Sequence, residues 1–277
     1  MSSRTRLSFT VKLNKLGETI TIQITDPSGL QADNLALATW GSSEVLANVL
    51  HRIPIDFSHS DVLVSVLGVL ELGAGTGLVG LSAACIWRTN ATLTDLPPLI
   101  PAIYANAKLN GALLSQHGGV AAVGMLDWSR PEFIDFGGGG SSEGEGEGDA
   151  AAAATDPVAE LKKGVLADPD SDLPLMKARV IVAADTVYDE AHPALLVQAI
   201  KARLDTRPEA RLVMCYPLRI GYLDHIRDLW ERLEEAGLIC VQEGREKIDD
   251  SWDENTPYEW CVWRWQDVKE LAQKGTS

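Results

Sequence analysis

The run VLGVLELGAGTGLVGLSAACI, Val66 to Ile86, restricts this chain more than any other stretch. Its opening VLGVLEL is apolar apart from Glu71, as a strand covered on both faces must be. After the glycines the apolar residues return with the density of a buried helix. Between the two, Gly73, Gly75 and Gly77 alternate, so the backbone turns where no side chain obstructs it. Strand, tight turn and helix in that order are half of a parallel βαβ unit.

The same alternation continues downstream. ATLTD, AAVGML, ARVIVAAD and RLVMCYP read as further strands, with PLIPAIYANAKLNG and HPALLVQAIKARL among the helices between them. Strands separated by helical segments specify an α/β fold with a doubly wound, mostly parallel sheet. After the helix YLDHIRDLWERLEEAG the pattern changes: GLICVQEGR and EWCVWRWQ follow with only a loop between them. That pair is expected to be an antiparallel hairpin at the sheet edge, completing seven strands. Upstream, LSFTVKL and ETITIQITD alternate with period two around a glycine-containing turn. They read as a β-hairpin extension, residues 1–38, joined to a main domain, residues 39–277. Ser42 or Ser43 is placed to cap a helix that begins near Glu44.

From Gly137 to Asp156, GGGGSSEGEGEGDAAAAATD holds seven glycines and five acids, with no aromatic, Lys or Arg. Such a segment buries too little apolar surface to offset its chain entropy, so a disordered acidic insertion is expected at about 137–175. The acidity extends beyond it, since 39 Asp and Glu against 24 Lys and Arg give a net charge of −15. Nucleic acid needs a basic face and is excluded as the main partner, whereas a basic protein surface suits this field. No apolar run reaches the roughly 18 residues of a membrane-spanning helix, and the N-terminus lacks the apolar core of a secretory signal. Cys85, Cys215, Cys240 and Cys261 lie far apart in apolar segments, matching neither a zinc pair nor a disulfide framework. Buried thiols in a reducing compartment, cytosol or nucleus, are expected. No His, Cys and Asp cluster has metal-ligand spacing. His192, ahead of Pro193 at a helix start, is expected at the surface or in a cap.

The glycine turn admits two nucleotide chemistries. Gly75, Gly77 and Gly80 satisfy GxGxxG, and Asp95, 20 residues beyond Gly75, stands where an acid accepts the ribose hydroxyls of a dinucleotide. The register favours a different ligand. With the strand ending at Leu72 the turn reads E-L-G-A-G-T-G, and Glu71 there repels a pyrophosphate but suits an ammonium or hydroxyl. Asp95 is alternatively an N-cap for a helix from near Pro97. Asp185, at the carboxyl end of ARVIVAAD, projects into the crevice where such sheets bind ligands.

An acid followed by G-x-G-x-G after an apolar first strand resembles motif I of the seven-β-strand S-adenosylmethionine-dependent methyltransferases. Taken together, LATWGSSEVLA, LELGAGTGLVGL, TLTDLPPLIPAIYANAKLN, GMLDW and VIVAADTVYDEAHPALLVQAI look like methyltransferase family 16, over about Thr39 to Leu218. That branch, in its fungal type, includes protein-lysine methyltransferases acting on elongation factors and chaperones. The resemblance implies a class I, Rossmann-like domain that uses S-adenosyl-L-methionine and releases S-adenosyl-L-homocysteine. It implies cofactor contacts from Trp40, Glu71, Gly73, Gly75, Gly77, Asp95, Leu96, Asp127, Trp128 and Ala184. Asp127 and Trp128 are then near adenine, and Trp40 covers the methionine end. Asp185-Thr186-Val187-Tyr188 matches the family's D-x-x-Y, which lines the opening for the target lysine. Asp185 would orient the amine and Tyr188 would wall the channel. The implied partner is a cytosolic protein with an accessible lysine, met by a monomer. A small-molecule N-methyltransferase, a nicotinamide enzyme and a non-catalytic cofactor-binding module share parts of the pattern. The acidic insertion and Pro217 depart from it, at positions that bear on the target rather than the cofactor.

Overall fold

The computed structural model describes residues 6–25, 41–55, 57, 66–136, 175–247 and 256–267. Trp40 and residues 137–174 of the stretch read as an acidic insertion fall outside these residues.

The alternating N-terminal runs pair as expected: β1 (Arg6–Lys12) and β2 (Thr19–Thr25) form an antiparallel two-stranded sheet. Seven further strands among the described residues make one sheet. They are β3 (Val66–Leu72), β4 (Asn90–Asp95), β5 (Val120–Met125), β6 (Lys177–Ala184), β7 (Arg211–Pro217), β8 (Leu238–Glu246) and β9 (Tyr258–Trp265). Their spatial order is β5-β4-β3-β6-β7-β9-β8. The five strands from β5 across to β7 pair in parallel, and β9 runs antiparallel to both β7 and β8. The seven-stranded, mostly parallel α/β architecture matches the pattern of the sequence, with the final hairpin folded so that its second strand is internal. Composition explains the choice. β9 buries Tyr258, Trp260, Cys261, Val262 and Trp263, whereas β8 exposes Gln242 and Glu243, so the polar strand takes the edge.

Alternate residues of the central strands feed two cores. Val180, Val182 and Ala184 of β6 join one apolar cluster, while Ile181 and Ala183 join the other. The first cluster is covered by α1 (Gly41–Val49), α2 (Leu78–Trp87), α3 (Ile100–Leu109), α4 (Gly111–Gln116) and the hairpin. The second is covered by α5 (His192–Arg203) and α6 (Leu223–Glu235). In α6 the buried residues Ile226, Leu229 and Leu233 form a single helical stripe. All of α2 except Ile86 is buried, because it lies between the sheet and β2, whose Ile20, Ile22 and Ile24 close over it. Cys85, Cys215 and Cys261 are buried free thiols, while Cys240 on the edge strand is half-buried.

Two helix starts differ from the sequence reading. α1 begins at Gly41, which puts Ser42 inside the first turn, fully buried with its hydroxyl unbonded rather than capping. α3 begins at Ile100 with Leu99 as its N-cap, because Leu96 to Leu99 close a separate turn first. Asp95 is therefore not its cap.

Candidate active site

β4 and β6 flank β3 on opposite sides, so the connections leaving the carboxyl ends of these paired strands part and open a crevice beyond them. A cleft of about 180 Å³ occupies that crevice. Of the sequence candidates, Gly73, Gly75, Asp95, Leu96, Asp127, Trp128, Ala184, Asp185 and Tyr188 line it. Glu71 and Gly77 do not, and Trp40 lies outside the described residues, three positions before the lining residue Ser43.

The glycine turn is shaped by what stands close to it. Gly73 has φ 66°, and a Cβ there would lie 3.0 Å from Thr186 Cγ2 and 3.2 Å from the Trp128 ring. Gly77 caps α2 with φ 83°, where a Cβ would come within 2.6 Å of Leu93. Gly73 thus keeps the cleft open, while Gly77 lets the helix pack on β4.

Asp95 ends β4 and ties the turn to the sheet. Its Oδ2 accepts the Gly75 N–H at 2.8 Å and its Oδ1 accepts the Leu96 N–H at 2.7 Å. Each oxygen keeps further acceptor capacity toward the cleft. Burial raises its pKa, and the two backbone donors oppose that rise. Glu71 faces the other way. It is fully buried beneath the turn, where Oε2 accepts the Gly80 N–H of α2 at 3.0 Å. Desolvation pushes its pKa up to about 8, so it is largely a neutral acid at pH 7.

On the exit from β5, exposed Asp127 accepts the Ser129 N–H and hydroxyl through Oδ1 at 2.8 and 2.7 Å, which lowers its pKa. The neighbouring Trp128 meets the His192 ring edge-on at a centroid distance of 5.8 Å.

Asp185 follows β6 with φ 55°, a left-handed conformation that is costly for a residue with a Cβ. Its N–H donates to Cys215 O at 2.9 Å, which holds the distortion in place. The side chain is 6% exposed, with Oδ1 standing 3.8 Å from Arg219 Nη1. Oδ2 is buried and has no hydrogen-bond partner. Burial raises the pKa of Asp185, against which Arg219 and then the Ser42 hydroxyl act. Ser42 is thus close enough to favour the carboxylate, yet neither Ser42 Oγ nor Asp185 Oδ2 completes a bond of acceptable geometry. Tyr188, 54% exposed, stands at the mouth with its ring edge-on to His192 at 4.4 Å. His192 is therefore a wall of the cleft rather than a surface cap, and burial lowers its pKa.

Sequence reasoning also passed over Ser43, Leu99, Thr186, Leu195 and Arg219. The first four line the cleft and the last reaches Asp185. Thr186 carried a signal, as it sits inside the D-x-x-Y stretch. Arg219 follows β7, the strand paired beside β6, so the adjoining carboxyl ends bring it to Asp185. Among the described residues no group of three His, Cys, Asp or Glu side chains could hold a metal.

Residues 19–136 match the family model described as lysine methyltransferase. This segment is similar to that family over less than half of the chain. It runs from β2 to just past β5, so the family match covers the glycine turn, Asp95, Asp127 and Trp128, and ends before Asp185. The protein-lysine N-methyltransferase EFM2 of Saccharomyces cerevisiae is 31% identical over 247 residues, covering 83% of this chain and 48% of that protein. The protein-lysine N-methyltransferase rrg1 of Schizosaccharomyces pombe is 34% identical over 116 residues, covering 42% of this chain and 36% of its own. The chain thus spans about half the length, or less, of these curated relatives. Among solved structures, magnesium protoporphyrin IX methyltransferase from Synechocystis PCC 6803 with bound SAM gives a TM-score of 0.47 at 11% identity, covering 81% of this chain and 79% of that one. That last likeness is loose.

Proposed function

We infer that this chain is an S-adenosyl-L-methionine-dependent methyltransferase that modifies a lysine side chain of a protein. The observation that carries the reading is Asp185, a nearly buried carboxylate whose Oδ2 lacks a partner in the same cleft as Asp95 and the glycine turn. A buried unpaired oxygen costs roughly 1–3 kcal/mol unless a ligand donates to it, and a lysine amine has such a donor. The cleft also fits the cofactor: Asp95 has acceptor capacity for ribose hydroxyls, and a Cβ at Gly73 would crowd the space beside Trp128 and Thr186.

In this reading Gly73 and Gly75 hold the methionine part, Asp95 the ribose, and Leu96, Asp127 and Trp128 the adenine. Glu71 supports the turn from beneath through Gly80. Bound there, S-adenosyl-L-methionine supplies an electrophilic methyl group on a sulfonium. The chain's own task is positional. Asp185 accepts an N–H of the incoming amine and aims its lone pair, while Tyr188 walls the approach. Leu99, Leu126, Leu195 and Trp128 present apolar surface that favours the neutral amine over the ammonium.

The target is a cytosolic protein, with a translation elongation factor as the first candidate, met by a monomeric enzyme in the cytoplasm or nucleus. Exposed Asp127, Asp189 and Glu190 around the mouth favour a basic segment near the lysine. No helix among the described residues is long and apolar enough to cross a membrane.

Titration with S-adenosyl-L-homocysteine followed by radiolabelled methyl transfer to extract proteins tests the reading. The native chain should bind and label a protein on lysine. Asp95→Ala should weaken binding about tenfold or more, for loss of charge-assisted hydrogen bonds. Asp185→Asn should bind normally and lose most of its transfer. Label confined to small molecules would favour a small-molecule acceptor, and absence of binding by folded protein would overturn the cofactor assignment.

A further inference from the structure

Arg219 lies between β7 and the single turn Ile220–Tyr222 that leads into α6. Its side chain is 25% exposed, and the 3.8 Å from Nη1 to Asp185 Oδ1 makes an ion pair too long for a good hydrogen bond. Asp185 therefore has its charge balanced without having both oxygens occupied, since Oδ2 stays unpartnered. That combination matters for an acceptor whose reactive form is the neutral amine.

We propose that Arg219 is a positioning residue that sets the protonation state of the target lysine. By neutralising Asp185 in advance, it lets the carboxylate accept an N–H from the amine without trapping it as an ammonium. The inference rests on the lysine-methyltransferase reading of the cleft.

The electrostatics decide the sign. A free lysine has a pKa near 10.4, so about one amine in a thousand is neutral near pH 7.4. An unopposed carboxylate at contact raises an amine's pKa by about 1–3 units and makes the reactive form rarer by the same powers of ten. A cation against that carboxylate opposes the rise. The groups facing Asp185 come from every side of the cleft. Ser42 of α1 is an uncharged hydroxyl, and Cys215 of β7 and Tyr188 have pKa values raised by burial, so both are neutral at pH 7. Asp95, Asp185 and Asp189 act on Tyr188, while burial holds His192 toward its neutral form, opposed by Asp189 and assisted by repulsion from His225. Arg219 is the cation that acts on Asp185 among these groups. The lysine proton leaves to water through the open mouth, so no further reactant is needed.

The test compares Arg219→Gln with Arg219→Lys. Methyl transfer to extract proteins is followed from about pH 6.5 to 9.5 at saturating cofactor, around the lysine titration. Arg219→Gln should bind S-adenosyl-L-homocysteine like the native chain. Its rate–pH limb should move up by about one unit and meet the native rate at the alkaline end, with Arg219→Lys on the native curve. A second readout needs no turnover: in the cofactor-free chain the carboxyl 13C resonance of Asp185, assigned by its loss in Asp185→Asn, should titrate at higher pH in Arg219→Gln. A rate curve lowered equally at every pH, or an Asp185 titration that does not move, overturns the inference. Failure of the native chain to methylate any protein lysine overturns the underlying reading instead, and the Asp185 titration still decides whether Arg219 controls that carboxylate.

Discussion

Glu71 shows how one position in a strand separates support from contact. Strand alternation aims it away from the cleft and under α2, where it takes the Gly80 N–H and becomes a neutral acid with a pKa near 8. The consequence for stability has a definite sign. The folded-state pKa exceeds the ordinary 4.5, so the contribution is complete below about pH 4.5 and is lost as the pH rises through 8. Denaturant melts of the native chain should therefore fall relative to Glu71→Gln between those limits, by a few kcal/mol at most. A constant difference across that window would mean Glu71 titrates normally. The type and spacing of Glu71 were legible in the sequence, but its direction was not, because motif and strand phase make opposite assignments there. Asp95 and Asp185 were legible, since an acid ending an apolar parallel strand has few destinations. His192 and Arg219 were not: His192 reaches the cleft by meeting Tyr188 at the start of α5, and Arg219 reaches Asp185 because β7 lies beside β6.

At the scale of elements, the hairpin and the glycine turn share one clamp. Asn106 of α3 accepts the Thr25 N–H at 2.9 Å and the Thr25 hydroxyl at 2.8 Å, and donates to Thr76 O of the turn at 3.0 Å. One turn later Asn110 takes the Gln23 N–H at 2.9 Å and gives to Gln23 O at 2.7 Å, as a neighbouring strand would. Asn106 is fully buried, so Asn106→Ala would strand donors and an acceptor and should cost about 1–3 kcal/mol in a urea melt. Because Thr76 lines the cleft, the same variant should weaken S-adenosyl-L-homocysteine binding several-fold at a temperature where it stays folded. Unchanged affinity would confine the clamp to a structural role. The seven strands of the main sheet and helices such as α2 at Leu78–Trp87 were readable from hydrophobic period, whereas the short α4 at Gly111–Gln116 was not. The asparagine clamps were not, as an amide on a helix reads as solvated surface until a strand is found against it.

For the molecule as a whole, the net charge of −15 gives the proposed encounter with a basic acceptor a measurable signature. Transfer to basic acceptors should show a KM that rises as salt increases from about 50 to 500 mM, where screening shortens the reach of surface charge, while kcat holds. A salt-independent KM would remove the field from recognition. The sheet order carries a consequence of another kind. β8 leaves the ribosome before β9, yet β9 is the strand that joins β8 to β7. The sheet cannot be completed in the order in which it is made. Until Tyr258 to Trp265 has emerged, β7 keeps an open edge rich in apolar residues, and β8 has no seat. A chain stalled or cut in that interval would offer the edge of β7 to any other strand, including the same region of a second copy.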